Sequence, residues 1–571
     1  MPSHASPALE TLSSRGDRRP LLLIGCALVL CAWGLMWGLP YSFDPAQDSV
    51  VPIGQLAERG FGFEQITAYR YPPFHFLLLR AAFLPARGLL HLAPDLADNP
   101  KVSATAFILT ARLVSLLMAL GTVWFLYRIG RRLWEEWAGL AAGAALILSP
   151  VTLYYAKNAN LDGPMIFWLA AALLLYVRVL QEQRTLDYLW LGVLCALAVC
   201  TKDQAYGFIL LMPLPICIAL WRRRKRQLRS EAGSTTRCKG KACLAPTEAD
   251  EPYISTTPAW KKLLLGFLGF AVPFVLIHNI LFDPQNFQRH VETVLGPGSA
   301  PWRECARGSM GQLRLLTESL LRLMDAWTLP GLLLAGFGLA LALRPGAGRF
   351  ERAALLVPAV SYQLSFLAPI GYVYPRFMLP TMLTLAPFAG YGALRLWRRW
   401  GKLGPVLTVA ALAWMGLAGL SVDYVMGESP RYEAQRWLEE TVPQGPSLQI
   451  YYIGELHDMP RFNAPLDAVQ IEATPEALAK LPSPSSLLVL SLDAGQPALG
   501  PGSWRLASIL RRHLGEWGLS PERRAADPFH EQLLSGKFGF VEVKRFRSPV
   551  ASAVPEVAES VNRTIIVMRR Q

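Results

Sequence analysis

Charge is scarce in this chain. Only 17% of its 571 residues are charged and 52% are hydrophobic, whereas an average soluble domain carries about 25% charged residues. Together with a mean hydropathy of +0.28, this excludes an ordinary soluble enzyme over most of the length. The eight cysteines offer no exterior framework. Cys26, Cys31, Cys195, Cys200 and Cys217 fall in apolar runs, Cys238 and Cys243 in a basic loop, and Cys305 stands alone in a polar stretch, so no structural disulfide is expected. Cys238 and Cys243 lack further ligands nearby, which argues against zinc there. No internal repeat of the kind common in transporters is present. No small-residue cleavage site follows the first apolar run, which therefore reads as an anchor rather than a signal peptide.

What the chain has is a series of apolar runs. A span needs about 20 apolar residues, and roughly eleven places qualify: 20–40, 104–127, 137–156, 163–180, 187–201, 204–221, 262–282, 328–344, 352–371, 376–394 and 404–425. The net charge of +14 is concentrated at the ends of these runs. Arg15, Arg18 and Arg19 precede the first, Arg128, Arg131 and Arg132 close the second, Arg222 to Arg226 the sixth, and Arg395, Arg398, Arg399 and Lys402 the tenth. All fall on one side of the count, as the positive-inside rule requires. This placement reads as topology and not as a nucleic-acid surface, so the bilayer is the expected partner. The N-terminus is expected to be cytoplasmic and the C-terminus exterior.

Three divisions are expected. Residues 1–19 form a polar, disordered cytoplasmic tail; residues 20–425 form a transmembrane body; residues 430–571 form a small exterior α/β domain. The body carries an exterior loop, 41–103, too long to be a plain connection, in which Val51 to Gly60 has the spacing of a surface helix. It also carries a charged cytoplasmic linker, 222–261, and a second exterior loop, 283–325. In the C-terminal part, Ser447–Ile453, Ser486–Leu492, Phe540–Phe546 and Thr564–Met568 read as strands. Helices are expected at Glu433–Glu440, Pro475–Leu481, Trp504–Trp517 and His530–Ser535, and no glycine-rich nucleotide loop is found among them.

Ionisable residues near a membrane are expensive and point to function. Asp44 and Asp48 follow the first run, and Arg70-Tyr71-Pro72-Pro73-Phe74-His75 precedes the second. A carboxylate there can act as a general base or orient an acceptor hydroxyl; a solvated loop acid is the plain alternative. Lys157 to Pro164 joins the third and fourth runs, with Asp162 either a catalytic carboxylate or the cap of the next helix. Thr201-Lys202-Asp203-Gln204 places a cation against the charge trend. Lys202 there suits a lipid phosphate, unless it merely pairs with Asp203. Arg376, in Tyr372-Val373-Tyr374-Pro375-Arg376, offers planar recognition of phosphate, while Tyr372 and Tyr374 also read as interfacial anchors. Acids Asp48 and Asp162 facing cations Arg70, Lys202, Arg376 and Lys157 suit transfer of a sugar from a lipid phosphate. The leaving group then needs charge stabilisation more than a strong acid.

In order, these motifs resemble the polyprenyl-phosphate-dependent glycosyltransferases of the GT-C type, family 39. That family includes protein O-mannosyltransferases and the lipid A aminoarabinose transferase. Asp48-Ser49 stands where the family has an acidic pair. Tyr71-Pro72-Pro73-Phe74-His75 is similar to its aromatic-Pro-Pro segment, and Asn160-Leu161-Asp162-Gly163-Pro164 to its Asn-x-Asp-x-Pro loop. Thr201-Lys202 and Pro375-Arg376-Phe377-Met378-Leu379-Pro380 match its Thr-Lys and Arg-Tyr-x-Leu-Pro elements. Arg431-Tyr432 with Trp437-Leu438 resembles the start of the exterior domain in bacterial members.

The resemblance implies a GT-C membrane fold and an inverting transfer from a polyprenyl-phosphate sugar to an exterior lipid, glycan or protein at a bacterial inner membrane. It implies Asp48 as the catalytic carboxylate and Asp162 as its partner. It implies Lys202 and Arg376 as phosphate or sugar contacts, and Arg70, His75 and Tyr374 are further candidate substrate or phosphate contacts beside them. Ser49 in place of the second acid leaves a divalent metal compatible but not required, and no metal ligand is assigned. Tyr71 stands where lipid A transferases carry a lysine, so the acceptor does not carry over. A multi-pass transporter or flippase, and an inactive scaffold of the same fold, are the competing readings.

Overall fold

The computed structural model describes residues 18–39, 71–237, 257–295, 303–442, 449–455, 458–460, 468–482, 486–493, 506–519, 528–549 and 563–571. Asp44, Asp48, Arg70, the expected surface helix at 51–60, and Cys238 and Cys243 lie outside these residues.

The apolar runs fold into a helical bundle. Among the described residues, eight helices are long and apolar enough to cross a membrane: Lys101–Leu133, Asp162–Glu182, Ala205–Arg229, Ala259–Ile277, Ser309–Ala342, Arg349–Ile370, Pro375–Arg399 and Leu403–Thr441. Arg19–Ala32, Glu136–Ile147 and Thr185–Thr201 are apolar but shorter. Each coincides with one of the runs read from the sequence. The multi-pass helical membrane architecture follows.

Burial sorts these helices. The apolar window of Pro375–Arg399 is 83% buried, that of Ala259–Ile277 only 11%, so the first is central and the second faces lipid. Small residues set the closest approaches, as expected where apolar association gains nothing over lipid. A Cβ on Gly338 would lie 1.9 Å from the Phe388 carbonyl oxygen, and one on Gly392 2.1 Å from that of Leu334. Glycine at both positions lets Ser309–Ala342 cross Pro375–Arg399 backbone to backbone.

Two expectations about loops are corrected. The linker expected from residue 222 is helical as far as Arg237, because Pro213–Arg237 continues through its basic residues as one helix. The segment expected as a second exterior loop, 283–325, is largely helix among its described residues: Pro284–Leu295, then the first half of Ser309–Ala342. That long helix is broken at Thr328, whose φ of 65° precedes Leu329 and Pro330. The apolar half after the break was legible. The half before it, with Glu318 and Asp325, was hidden by its charges.

The C-terminal part forms a five-stranded mixed sheet: β1 (Gln449–Ile453), β2 (Ala468–Gln470), β3 (Ser486–Asp493), β4 (Phe540–Phe546) and β5 (Arg563–Arg570). The order is β2-β1-β3-β5-β4, with β1 parallel to β2 and β3, and β5 antiparallel to β3 and β4. Alternation along β3 and β5 divides two cores. Leu487, Val489, Ile565 and Val567 face Ala434 and Leu438 of the helix Pro430–Thr441. Leu488, Leu490, Ile566 and Met568 face Leu478 and Leu533 on the other side. Among the described strands, only β2 escaped the sequence reading; three residues are too few for a periodic signal.

Among the described residues, contacts in two regions fix the sheet unit to the bundle. Arg511 pairs with Glu318 at 3.0 Å and with Asp325 at 2.7 Å, all three buried. At the other attachment the Gly38 amide donates to the Tyr432 hydroxyl at 2.8 Å, and the Arg431 guanidinium lies 5.6 Å from the Trp37 ring. The Arg-Tyr element thus grips the end of the first apolar run.

Candidate active site

Three of the site residues expected from the sequence lie at helix ends that share one end of the bundle. Asp162 opens Asp162–Glu182, Lys202 follows Thr185–Thr201, and Arg376 stands in the 3-10 turn Pro375–Met378 that leads into the central helix. Basic residues mark the opposite end, where Arg398 holds Glu135 through two hydrogen bonds of 2.8 and 2.6 Å and Arg132 bonds Gln181 at 2.6 Å.

The centre of the site is an ion pair across 40 residues of sequence. Lys202 Nζ lies 2.6 Å from Asp162 Oδ1, with side-chain exposures of 12% and 1%. Gln204 Nε2 donates to the same oxygen at 3.1 Å, and the Asp162 amide donates to Asn160 Oδ1 at 2.9 Å. Asn160 therefore fixes the backbone and Gln204 the carboxylate. Asp162 Oδ2 is buried and has no hydrogen-bond partner among the described residues. A carboxylate with one oxygen tied and the other bare is oriented to receive a donor.

Lys202 does not pair with its neighbour Asp203, the plain alternative the sequence left open. Burial pulls the Lys202 ammonium below the ordinary lysine value; Asp162 opposes that fall, and Arg376 is near enough to add to it. Two cations thus share a poorly hydrated space with Asp162, and Asp203 is near enough to oppose the fall as well.

Arg376 is held by aromatic faces. Its guanidinium carbon lies 5.1 Å from the Tyr374 ring and 5.7 Å from Phe377, contacts that orient a planar cation. Tyr372, Tyr374 and Phe377 pack edge to face or tilted at centroid separations of 5.3 to 5.8 Å. Tyr374 thus positions the arginine, a role compatible with its aromatic anchor reading.

Lys157 is a correction. It donates to Asp423 at 2.7 Å, to the Trp33 carbonyl at 2.8 Å and to the Leu30 carbonyl at 3.2 Å, and is fully buried. It ties the first apolar helix to Leu403–Gly427 and is no part of the shared cluster. The signal missed was Asp423, a lone acid in an apolar run. His75 is buried, with neither ring nitrogen partnered among the described residues. Burial alone pushes its pKa down to about 3, so it is a neutral imidazole.

Sequence reasoning missed Tyr362. Its hydroxyl is fully buried without a hydrogen-bond partner among the described residues, within electrostatic reach of Asp162, Tyr206, Tyr372 and Arg376. The next residue begins a π-helical turn, Gln363–Leu367, a distortion frequent at functional sites. Ser361 and Ser365 hydroxyls donate to the Gly207 carbonyl at 2.6 and 3.1 Å. A Cβ on Gly207 would meet Phe366 Cβ at 2.6 Å, so glycine is needed for the segment after Lys202 to lie against this turn. The only trace in the sequence is the Ser-Tyr-Gln-Leu-Ser stretch inside an apolar run.

Beside the pair, Asp203 turns the other way: its Oδ1 lies 2.9 Å from His290 Nε2.

The family model for dolichyl-phosphate-mannose-protein mannosyltransferase matches residues 106–236. The chain is similar to that family there. The match contains Asp162 and Lys202 and supports the GT-C, family-39 resemblance read from the motifs; it does not extend to Asp48 or Arg376. No curated protein matches the sequence. Among solved structures, the chain is similar to ArnT from Cupriavidus metallidurans bound to undecaprenyl phosphate, at 13% identity and a TM-score of 0.45, over 96% of this chain and 97% of that one. It is also similar to the oligosaccharyltransferase AglB from Archaeoglobus fulgidus, at 12% identity and a TM-score of 0.40, over 76% and 62%. The arabinofuranosyltransferase AftD from Mycobacteria gives 15% identity and a TM-score of 0.39, over 98% and 42%. None of these likenesses carries residue roles to this chain.

Proposed function

We propose that the chain is a membrane glycosyltransferase that moves one sugar from a polyprenyl-phosphate donor to an acceptor on the exterior side of a cell membrane. The observation that carries this reading is the buried Lys202–Asp162 pair with Arg376 beside it, at the bundle end opposite the basic clusters. Two cations match a phosphate leaving group; the oriented acid keeps Lys202 in place and the aromatic faces keep Arg376.

In the reaction, the bond between the anomeric carbon and the phosphate oxygen breaks, and its electron pair leaves on the phosphate. An acceptor hydroxyl attacks the opposite face of the carbon, inverting it. Asp48 takes the hydroxyl proton. Lys202 and Arg376 meet the charge that grows on the phosphate, where a low-dielectric, preorganised setting makes such contacts most effective. Asp162 holds Lys202, and Tyr362 offers a hydroxyl to the same space. Residues 20–425 act as the catalytic body and 430–571 as an exterior domain. The basic ends lie in the cytoplasm, in a bacterial inner membrane.

The polar groups gather at one end of the bundle rather than at mid-depth, which disfavours a transporter. The test is mass spectrometry of envelope lipids, glycans and proteins from cells expressing the wild type or Lys202→Ala at equal membrane abundance. A glycan mass increment present only with the wild type supports the reading. No difference between the two, with polyprenyl-phosphate sugars unconsumed, overturns it.

A further inference from the structure

The side of the 202–204 segment that faces away from Asp162 carries a second group of polar residues. Asp203, His278 and His290 come from three separate stretches, yet one ligand atom from each lies within 4.8 Å of the others. Both imidazoles are buried, at 2% and 3% exposure. His278 caps Ala259–Ile277 and His290 lies within Pro284–Leu295.

We infer that this group binds one divalent transition metal of the zinc class, and that the metal fastens the helix Pro284–Leu295 to the segment carrying Lys202. Two imidazoles and one carboxylate suit zinc; magnesium and calcium take oxygen ligands instead. Three protein ligands leave a fourth position for water or an incoming group. The surroundings are those of a metal site. His278 Nδ1 lies 3.1 Å from the Phe274 carbonyl and 3.5 Å from Cys200 Sγ. A ring N–H given to a backbone carbonyl fixes the tautomer and leaves the other nitrogen as donor, the usual outer arrangement of a ligating histidine. Phe274 and Phe287 form the walls, with centroids 4.3 and 5.4 Å from that of His278, and Phe287 also lies 6.5 Å from His290. Such rings keep water away.

The present arrangement is slightly open for the ion. Metal–ligand bonds of about 2.0–2.1 Å place ligand atoms closer together than 4.8 Å, so the side chains must turn inward. The 2.9 Å contact between His290 and Asp203 holds two of them in register beforehand. The consequence is positional, because Asp203 is joined by one peptide bond to Lys202 and metal binding there restricts the cation used on the other face.

The experiment uses the full chain in detergent or nanodiscs, without a histidine tag, stripped with a chelator and titrated with Zn2+ alone. Calorimetry and elemental analysis are expected to give one zinc per chain, with at least a tenfold loss of affinity in His290→Ala and in Asp203→Asn. Co2+ in the wild type is expected to give visible d–d absorption, which needs no variant to fold. Absence of stoichiometric zinc and of the cobalt band overturns the site, as does equal zinc binding by His278→Ala/His290→Ala. The readouts are independent of glycosyl transfer, so they stand or fall apart from the proposed reaction.

Discussion

The Asp162–Lys202 pair can be tested by a thermodynamic cycle. At 2.6 Å and an effective dielectric of about 20, the two charges attract by roughly 6 kcal/mol, most of which is offset by removing them from water. Replacing one partner is a different matter. Asp162→Asn leaves Lys202 buried near Arg376 without its anion, and Lys202→Met leaves the buried Asp162 carboxylate with Gln204 but without its paired cation. Each change is expected to destabilise by about 3–5 kcal/mol, whereas the double variant is expected to recover about 1–3 kcal/mol of the summed loss. The assay is thermal unfolding in detergent for wild type, both single variants and the double variant, with transfer measured on the same samples. The double variant should regain stability without regaining transfer, because the cation is missing. Strict additivity of the two losses would refute the view that these residues act as one unit.

Other expectations follow from separate features. Asp48→Asn should abolish transfer while the protein still inserts and folds; near-normal turnover removes that residue from the reaction. Gly207→Ala places a carbon 2.6 Å from Phe366 Cβ and should destabilise by about 1–3 kcal/mol while raising the donor KM, so unchanged stability and KM would show that the close approach is unnecessary. His75, pushed down to about 3 when folded, stays neutral while the unfolded chain takes up a proton below about 6.5. Its contribution is whole above that pH and is lost as pH falls toward 3. Unfolding midpoints of wild type should therefore drop more steeply than those of His75→Gln between pH 6.5 and 4, and parallel curves would dismiss the effect.

The sequence exposed the bundle because an apolar run long enough to span a bilayer has few other fates. It exposed the β3 and β5 strands for a related reason, since Val, Ile and Leu follow one another there with two faces to cover. Asp162, Lys202 and Arg376 stood out because each is an ion where ions are costly. Their pairing was not legible: nothing in Thr201-Lys202-Asp203 says that the lysine reaches back 40 residues while the adjacent acid faces a histidine 87 residues on. Lys157 misled for the same reason, its partner Asp423 lying 266 residues away. Tyr362 gave no signal because a tyrosine in an apolar run is ordinary, and only the π-turn after it and the glycine opposite mark the place.

The bond between Gly38 and Tyr432 joins residues 394 apart. During synthesis, the first membrane segment leaves the ribosome long before its partner exists. Its tip at Gly38 can reach its final setting only after Leu403–Gly427 has been inserted and the chain beyond it has emerged. A product truncated ahead of residue 432 would carry every described apolar helix through Leu403–Gly427, and still lack this clasp. Emergence of the chain past residue 432 is thereby built into the maturation of this end of the bundle.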